Sequence, residues 1–544
     1  MLISQCENFS LNESNRSLGK AIPHVAALKQ TCGQAQYTDD TPKLAGELYA
    51  GLVMSTKPHA KIISVDFSAV LEIPGVHDYV CAKDVPGDNV WAPGRDEEGF
   101  ATTTVYYHGH VIGAILADDQ LTAQEAARLV KVEYEDLPVL LSIEVGLLSC
   151  PTGDLFDGAT QSPDDVKRQI LKGDLDAGFT SAEFILFGEA RIGGQEHFYL
   201  ETQASLAIPS TENGGIEIIS STQNPNETQL VIAHVLGVPA HLVSCRVRRL
   251  GGGFGGKETR SVPISAVCAV AARKTGRPVR IMLDRDEDML LTGQRHPFLG
   301  KWKVGFMGTG RVVALDLSVS LLFPAFRRFH CVHTQSLAIY LQLFSNAGWS
   351  ADLSLPLSTT ASEHRFRGFG APQGMFFTES IICAIADRLA MSAEAVREKM
   401  LYQEGDRTHF GMQLTDWHIP AVMNQLRREV GIEERKNAIA EFNAQNRWRK
   451  RGYALVPTKF GISFSHLTYN QAGALVHIYT DGSVLLAHGG TEMGQGLHTK
   501  MIQVAAETLR VPVESVHIAE TSTTTVANAS PTAASSSSDL NGMA

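Results

Sequence analysis

Residues 249–260 read RLGGGFGGKETR and set five glycines around one phenylalanine. The preceding residues 242–247 alternate and include β-branched side chains, a pattern that predicts a strand. Glycine tolerates positive φ and lets a backbone approach a ligand closely, and successive N–H groups in such a turn form a concavity that binds anions. Residues 251–256, the first glycine loop, are therefore predicted to bind a ligand, with an ordinary tight turn as the alternative.

The first glycine loop also matches most of the phosphate-binding pattern G-x-x-x-x-G-K-[ST]. Gly251, Gly256 and Lys257 fit that pattern, but Glu258 stands where it requires a hydroxyl for the metal ion. A carboxylate beside phosphate oxygens would be repelled by several kcal/mol at a protein-like dielectric. A P-loop nucleotide binder is therefore disfavoured and remains the alternative class.

Composition limits the partners that the chain can bind. Its 544 residues and mass of 59.0 kDa predict about three domains. The 47 basic and 58 acidic residues give a net charge of −11. That balance argues against nucleic acids and anionic membranes as partners.

Cysteine usage and the N-terminal sequence predict an intracellular protein. The eight cysteines are scattered without C-x-x-C spacing, which is typical of reduced thiols and not of a zinc site or an iron–sulfur cluster. Residues 1–17 lack the apolar core of a signal peptide, and no window holds the roughly 18 apolar residues of a membrane span. We therefore expect a cytoplasmic protein.

Strand and helix patterns in the N-terminal part predict a compact α+β domain. Residues 1–32 are polar and predict an extended leader. Residues 48–54 and 61–65 have strand patterns, and residues 122–130 have a helical pattern that leads into a strand at 131–134. Mixed elements of this kind favour an α+β fold class.

Local signals in the middle and C-terminal parts mark further elements. Asn224 as a cap, a proline at the first helical position and Gly237 at the end predict a helix between them. The sequences around residues 308–310 and 481–482 predict two β-hairpins. Each of these signals defines a local element and leaves the arrangement of the elements open.

Two segments resist a simple assignment. Residues 319–364 show no clean period, and we treat them as aberrant. Residues 521–538 are crowded with Ser and Thr, which usually indicates low-complexity disorder. Residues 530–535, SPTAAS, are named the hydroxyl segment; their hydroxyl and backbone donors also suit an anionic ligand. The chain then stops at residues 541–544 without a closing element.

Three further loops carry unusual polar residues. They are the glutamine turn (193–201, GGQEHFYLE), the arginine turn (366–370, FRGFG) and the second glycine loop (489–496, GGTEMGQG). With the first glycine loop and the hydroxyl segment, they offer many hydrogen-bond donors, few acidic acceptors and no metal-ligand cluster. That combination suits a large anionic cofactor that brings its own metal ligands.

These five motifs, in this order, resemble those of the xanthine dehydrogenase/aldehyde oxidase family of molybdenum hydroxylases. The resemblance runs from about residue 33 to the end. It implies a hammerhead α/β domain at 33–142, followed by an elongated molybdopterin-binding region of mixed sheets and helices. That region comprises a first domain at 165–410 and a second, truncated domain at 430–544.

The resemblance also implies a site around a molybdenum–molybdopterin cofactor. Its molybdenum-centre contacts are expected to be Gln195, Phe254, Arg367 and Ala534. Its other cofactor-binding residues are expected to be Gly253, Gly255, Gln495 and Ala533.

The residues expected to contact the substrate point to a purine. The resemblance implies that Phe369 and Phe464 sandwich the purine ring and that Ser465 supplies a hydroxyl. Glu258 falls where the family has a substrate-facing glutamate, which can accept a hydrogen bond from a purine N–H. Aldehyde-oxidising members have an apolar residue there, so Glu258 favours the purine-oxidising branch.

Three departures from the family pattern limit the expected activity. The iron–sulfur and flavin modules of full-length enzymes precede the matched region and are not found here, so those cofactors are expected only on modules outside this sequence. The general-base glutamate of the family lies beyond Ala544, which leaves no catalytic residue in this chain. The family's substrate-binding arginine helix is missing between residues 348 and 366.

The expected function is oxidative hydroxylation of hypoxanthine and xanthine to urate, a step of purine catabolism. Loss of the general base alone should leave little activity, because such a base typically contributes about 10²–10⁴-fold. The alternatives are a non-catalytic fragment of the same family and an aldehyde oxidase. The resemblance implies a purine substrate as partner and a homodimer for the full-length enzyme, with no nucleic acid and no membrane.

Overall fold

The computed structural model describes residues 17–91, 97–149, 167–321, 348–354, 366–408, 411–464 and 467–544. Its strands are β1 Leu48–Met54, β2 Ala60–Asp66, β3 Val76–Cys81, β4 Thr104–Val105, β5 Val111–Ala117, β6 Lys131–Asp136, β7 Lys167–Lys172, β8 Phe184–Ile192, β9 Ala204–Pro209, β10 Ile216–Ser220, β11 Val243–Val247, β12 Val279–Met282, β13 Phe298–Phe306, β14 Val312–Leu321, β15 Gly348–Ser354, β16 Ala474–Ile478, β17 Val484–His488, β18 Val516–Ile518 and β19 Thr521–Ser522. Its α-helices are α1 Ala27–Thr31, α2 Gln120–Leu129, α3 Ile143–Ser149, α4 Leu175–Ser181, α5 Pro225–Leu236, α6 Ser261–Thr275, α7 Arg285–Leu291, α8 Ala371–Leu389, α9 Ala393–Glu398, α10 Ile419–Glu429, α11 Ile432–Gln445, α12 Leu497–Leu509 and α13 Ser537–Met543.

An eight-stranded mixed sheet connects three distant parts of the sequence. Its order is β19-β11-β10-β9-β12-β1-β5-β3. β1 pairs antiparallel with β5 and parallel with β12, and β11 pairs with β10 on one side and β19 on the other. Since β11 leads into the first glycine loop, this sheet sets where that loop lies.

Helices α5 and α6 pack on this sheet and flank the first glycine loop. The predicted α5 is confirmed: the Asn224 side chain accepts a hydrogen bond from the amide of Glu227, and Gly237 ends the helix at φ 65°. Helix α6 is buried along most of its length. Its small side chains, such as Ala269, let it lie close to the sheet, where each buried methylene stabilises the fold by about 0.8 kcal/mol. The loop therefore lies between rigid elements.

The N-terminal region folds as predicted, as a mixed α+β unit. Helix α2 begins where the Asp119 side chain accepts a hydrogen bond from the amide of Thr122. It covers β1 and β5, and a smaller sheet of order β4-β2-β6 lies beside them. The core between these layers includes Val53, Ile115 and Ala126.

A second sheet, of order β7-β15-β14-β13-β8, carries helix α8. The predicted hairpin at residues 308–310 joins β13 and β14 as expected. The aberrant character of 319–364 stays a prediction; in the described part of that segment, residues 319–321 end β14, and β15 pairs parallel with β14. The rest of that segment lies outside the described residues.

The C-terminal part corrects one expectation. The hairpin at residues 481–482 is confirmed and joins β16 and β17. Residues 521–538 are ordered, because β19 pairs with β11 and the side chains of Thr532 and Ser536 are buried. Sequence composition missed this because pairing partners lie far away in the chain. Helix α13 occupies residues 537–543.

The described part of the leader is folded and not extended. Helix α1 occupies residues 27–31, and Ser17 binds α12 through Glu507 and the carbonyl of Gln503. The described cysteines are free thiols, namely Cys32, Cys81, Cys245, Cys268 and Cys383. Among the described helices, none has the length and apolarity that a membrane span requires.

Candidate functional site

Gln223 joins the first glycine loop to the hydroxyl segment. It is buried and lies just before α5. Its Oε1 accepts hydrogen bonds from the amides of Gly255 at 2.9 Å and Lys257 at 3.4 Å. Its Nε2 donates to the carbonyl of Thr532 at 2.9 Å, and the Thr532 amide donates back to the Gln223 carbonyl at 2.9 Å. One side chain thus fixes two loops that are nearly 300 residues apart.

A buried ion pair stabilises the first glycine loop. The Lys257 ammonium lies 3.1 Å from the Glu201 carboxylate and donates to Ser221 Oγ at 2.8 Å. Glu201 also accepts a hydrogen bond from the Gly251 amide at 2.7 Å. Burial lowers the pKa of the Lys257 ammonium, an effect that Glu201 opposes. Because Lys257 is committed to this pair, it does not serve as a phosphate ligand, and the P-loop alternative loses its key residue.

Arg295 joins the glutamine turn to the arginine turn. Its guanidinium donates to Gln195 Oε1 at 2.7 Å, to the Phe369 carbonyl at 2.6 Å and to the Arg367 carbonyl at 2.6 Å. The guanidinium also stacks on the Phe366 ring, 4.1 Å from its centroid. Sequence reasoning missed Arg295, because a single arginine in a loop has no local pattern that marks its partners.

Backbone hydrogen bonds connect the remaining loops. The Arg367 amide donates to the Phe254 carbonyl at 2.9 Å, and the Leu250 amide donates to the Glu492 carbonyl at 2.9 Å. The second glycine loop contacts the hydroxyl segment, since the Thr491 amide donates to Thr532 Oγ1 at 2.8 Å. All five sequence motifs therefore belong to one hydrogen-bonded network.

Phe464 and Ala534 lie at the edge of this network. The amide of Ser463, directly before Phe464, donates to the Ala534 carbonyl at 3.0 Å. The Phe464 ring packs against Tyr469 at a centroid distance of 5.6 Å. Ala533 is half-buried beside Ala534. Ser465 lies outside the described residues.

Strained backbone is concentrated at these loops. Six non-glycine residues in or beside these loops have positive φ: Phe198 at 49°, Phe254 at 55°, Phe369 at 50°, Ser463 at 77°, Ala534 at 52° and Ser535 at 53°. Such conformations cost about 1–3 kcal/mol each and persist only where the surroundings enforce them. The network around Gln223 and the other buried residues supplies that enforcement.

Four of the residues predicted to touch a ligand are exposed, whereas their supports are buried. Gln195, Phe254, Arg367 and Gln495 are exposed, and Phe369 is half-exposed. Gln223, Arg295 and Thr532 are buried. Surface side chains on rigid, buried supports are pre-organised for binding.

The donors of this surface fit an anionic cofactor. Within the described part of the chain, the amides of Gly252, Gly253 and Phe254 make no hydrogen bond. The guanidinium of Arg367 and the amide groups of Gln195 and Gln495 add further donors. Backbone amides without a partner and a guanidinium both favour negative charge.

Glu258 and Gly253 occupy the inner part of the site. Glu258 is buried, and its amide donates to the Gly255 carbonyl at 3.2 Å. Gly253 has no room for a larger residue, because a Cβ there would lie 2.6 Å from Gln223 Oε1 and 3.0 Å from Met493 Sδ. The close approach between Gly253 and Gln223 explains why glycine is needed at this position.

Comparison with known proteins shows which families and sequences this chain is similar to. Residues 32–138 match the a/b hammerhead domain of aldehyde oxidase and xanthine dehydrogenase, and residues 159–401 and 425–544 match two molybdopterin cofactor-binding domains. The chain is 52% identical over 541 residues to a xanthine dehydrogenase of Emericella nidulans, covering 97% of this chain and 38% of that protein. It is 48% identical over 541 residues to a nicotinate hydroxylase of the same organism, covering 98% of this chain and 39% of that protein.

A solved structure shares the fold. The aldehyde oxidoreductase of Desulfovibrio gigas superposes with a TM-score of 0.84 at 24% identity, covering 97% of this chain and 59% of that chain. The sequence relatives are longer, and the chain spans about two fifths of their length. The predicted fold class, with a hammerhead domain and mixed sheets and helices, is confirmed.

Proposed function

The chain belongs to the xanthine dehydrogenase/aldehyde oxidase family and carries its molybdopterin cofactor-binding domains, and we propose that it forms the molybdenum-cofactor portion of a purine hydroxylase. The proposed reaction is the oxidative hydroxylation of hypoxanthine and xanthine to urate. The observation that carries this proposal is the single network that joins all five motifs at one surface. The exposed donors of the network would bind the cofactor, and we assign the buried Glu258 carboxylate to the substrate.

Named residues would hold the cofactor. We assign Gln195, Phe254, Arg367 and Ala534 to its molybdenum centre. The amides of Gly253 and Gly255, the Gln495 side chain and the backbone at Ala533 would bind the molybdopterin. When bound, the cofactor supplies the metal centre that transfers oxygen and accepts electrons.

The protein's own contribution is binding and orientation. Phe369 and Phe464 would hold the flat ring of the substrate, and each aromatic contact adds about 0.5–1.5 kcal/mol beyond burial. Glu258 would accept a hydrogen bond from a purine N–H, with Ser465 as a second polar contact. None of the described site residues is assigned as the general base.

Because the relatives are longer than this chain, we infer that the assembled enzyme has further modules. We propose that iron–sulfur clusters and FAD on other modules carry electrons away from the site. The assembled enzyme would act in the cytoplasm as a homodimer, with no nucleic-acid or membrane partner. These proposals rest on family membership and on the charge and cysteine pattern of the sequence.

A second candidate substrate is a pyridine carboxylate. It is favoured by the 48% identity to a nicotinate hydroxylase, close to the 52% identity to a xanthine dehydrogenase. Both substrates are nitrogen heteroaromatics that are hydroxylated at a ring carbon. They differ in charge, so a carboxylate at Glu258 would attract a purine N–H and repel nicotinate.

Cofactor and substrate can be tested separately. The chain would be expressed in cells that make molybdopterin, and molybdenum would be measured per chain. Equilibrium dialysis with xanthine, hypoxanthine, nicotinate and an aldehyde would then rank the ligands, with dye reduction as the activity assay. We expect bound molybdenum, little turnover by this chain, and xanthine affinity that falls about tenfold or more in Glu258→Ala. A chain without molybdenum would refute the cofactor role, and tighter binding of nicotinate than xanthine would favour the second candidate.

A further inference from the structure

The side chain of Asn470 binds the backbone of Phe464 at both of its polar groups. The Phe464 amide donates to Asn470 Oδ1 at 3.0 Å, and Asn470 Nδ2 donates to the Phe464 carbonyl at 2.8 Å. A carboxamide carries an acceptor oxygen and a donor NH₂ group, so this one side chain satisfies the amide and the carbonyl together. The backbone of Phe464 is therefore fixed by a residue six positions further along the chain.

The two neighbours of Asn470 hold the same region. The Tyr469 ring packs against the Phe464 ring at a centroid distance of 5.6 Å and an angle of 47°. The Gln471 amide donates to Ser530 Oγ at 3.0 Å, and the Ser530 amide donates to the Gln471 carbonyl at 3.0 Å. Three successive residues thus contact the Phe464 ring, the Phe464 backbone and the hydroxyl segment.

The backbone directly before Phe464 is strained. Ser463 has a φ of 77°, and a non-glycine residue keeps such a conformation only where its surroundings enforce it. The Ser463 amide donates to the Ala534 carbonyl at 3.0 Å, and Asn470 holds the residue that follows. Without Asn470, the strained backbone could relax and carry the Phe464 ring with it.

These bonds connect Phe464 to the part of the site that contains Glu258. The hydroxyl segment, which binds the residue before Phe464, is bonded through Thr532 to Gln223. Gln223 Oε1 in turn accepts a hydrogen bond from the backbone amide of the residue before Glu258. The placement of Phe464 is therefore tied to that of the carboxylate that we assign to the substrate.

We propose that Asn470 is a positioning residue that holds the Phe464 ring as an aromatic wall for a flat heteroaromatic substrate. This inference rests on the proposed function, because that function assigns Phe464 to the substrate ring. Contacts between aromatic rings depend on their offset and angle, so a Phe464 ring on a loosened backbone loses the contact although its chemistry is unchanged. Asn470 itself does not touch the substrate.

The test is a double-mutant cycle on the 544-residue chain. Asn470→Ala, Phe464→Leu and the double variant would be compared with the parent for xanthine affinity by equilibrium dialysis and for bound molybdenum per chain. Each single variant should lower xanthine affinity about 3–10-fold. The double variant should be no worse than Phe464→Leu, because both changes remove the same contact. Bound molybdenum should stay near the parental level throughout.

A further variant tests whether the donor of Asn470 is needed. Asn470→Asp keeps an oxygen for the Phe464 amide, but a carboxylate has no donor for the Phe464 carbonyl. We expect it to bind xanthine no better than Asn470→Ala. Residue-resolved hydrogen exchange should show a faster Phe464 amide in Asn470→Ala than in the parent.

Asn89→Ala is the matched control, because Asn89 makes the same pair of bonds in the N-terminal region. The Phe100 amide donates to Asn89 Oδ1 at 3.0 Å, and Asn89 Nδ2 donates to the Phe100 carbonyl at 2.7 Å. Phe100 is buried and packs against the Trp91 ring. Asn89→Ala should lower the melting temperature at least as much as Asn470→Ala and leave xanthine affinity near the parental value.

Several results would overturn the proposal. These are parental xanthine affinity in Asn470→Ala, effects of Asn470→Ala and Phe464→Leu that multiply in the double variant, or an equal loss of affinity in Asn89→Ala. If the parent chain bound molybdenum but no xanthine, the proposed substrate would fail. Exchange at Phe464 would then test the hold of Asn470 alone: an unchanged rate in Asn470→Ala would reject it, and a faster rate would support it.

Discussion

The two glycine loops of this protein are stabilised in opposite ways. The first glycine loop is held by residues far away in the sequence: Gln223 binds its amides, and Glu201 binds both the loop and Lys257. The second glycine loop also contacts Leu250 and Thr532, but its C-terminal half is closed by a carboxylate of its own. The Glu492 carboxylate accepts hydrogen bonds from the amides of Gly494 and Gly496 and from the His498 amide, at 2.9–3.0 Å.

The two loops therefore become ordered at different stages of folding. A loop that is closed by its own carboxylate can form as soon as its local chain folds. A loop that depends on Gln223 and Glu201 forms only when the eight-stranded sheet and the C-terminal region have come together. Damage to the first glycine loop should therefore spread through the site, whereas damage to the second should stay local.

Glu201→Ala should have the largest effect on stability. It would leave the Lys257 ammonium buried without its counter-ion and remove the acceptor of the Gly251 amide. Breaking a buried pair from one side costs about 3–5 kcal/mol. Urea unfolding followed by circular dichroism would measure the loss. The matched control is Glu217→Ala, whose ion pair with Arg246 is half-exposed and should cost less than about 1 kcal/mol. Equal losses in both variants would contradict the role given to Glu201.

Gln223→Leu should have the second-largest effect on stability. It would leave the amide of Gly255 and the carbonyl of Thr532 without their partner inside the protein, and each unsatisfied buried group costs about 1–3 kcal/mol. We expect a total loss of about 3 kcal/mol and faster amide exchange in both the first glycine loop and the hydroxyl segment.

The control for Gln223 is Gln229→Leu. Gln229 likewise bonds to the backbone through its side-chain amide, donating to the carbonyls of Ala240 and Val243, but it lies away from the loops. Its loss should destabilise the protein without changing exchange in the first glycine loop or the hydroxyl segment. If Gln229→Leu opened the same segments, the bridging role of Gln223 would be wrong.

Glu492→Gln should have a smaller, pH-dependent effect. Burial raises the pKa of the Glu492 carboxyl, but the amide hydrogen bonds outweigh it and hold the pKa below the ordinary 4.5. A carboxyl with a depressed folded pKa stabilises the fold above its unfolded pKa, and that stability is lost as the pH falls through the folded value. We expect a loss of about 2 kcal/mol at pH 7. Melting curves of the parent and the variant should converge below pH 4.5; a gap that stayed constant with pH would reject this account.

Gln495→Ala should have the smallest effect on stability. Among the residues that the structure describes, its side chain forms hydrogen bonds within the second glycine loop, to the Met493 amide and the Thr491 carbonyl. Losing exposed bonds of this kind should cost about 0.5–1 kcal/mol. Amide exchange in the first glycine loop should not change. A cooperative loss across both loops would show that the second loop is not self-contained.

Sequence patterns predicted the local elements well and the connections poorly. Helix α5, the two hairpins and the strand before the first glycine loop follow from caps, turn residues and alternation, which act over a few residues. Arg295 and Gln223 have no such signal, since their roles depend on partners up to about 300 residues away. The order of the hydroxyl segment was missed for the same reason, because Ser/Thr-rich composition does not reveal that Thr532 pairs with Gln223.

The central claim is that the five separate loops form one cofactor site. Hydrogen–deuterium exchange of the chain, with and without isolated molybdopterin cofactor, tests it most directly. We predict simultaneous protection of the glutamine turn, both glycine loops, the arginine turn and the hydroxyl segment, with saturation at one cofactor concentration. Protection confined to a single loop, or none at all, would contradict the claim.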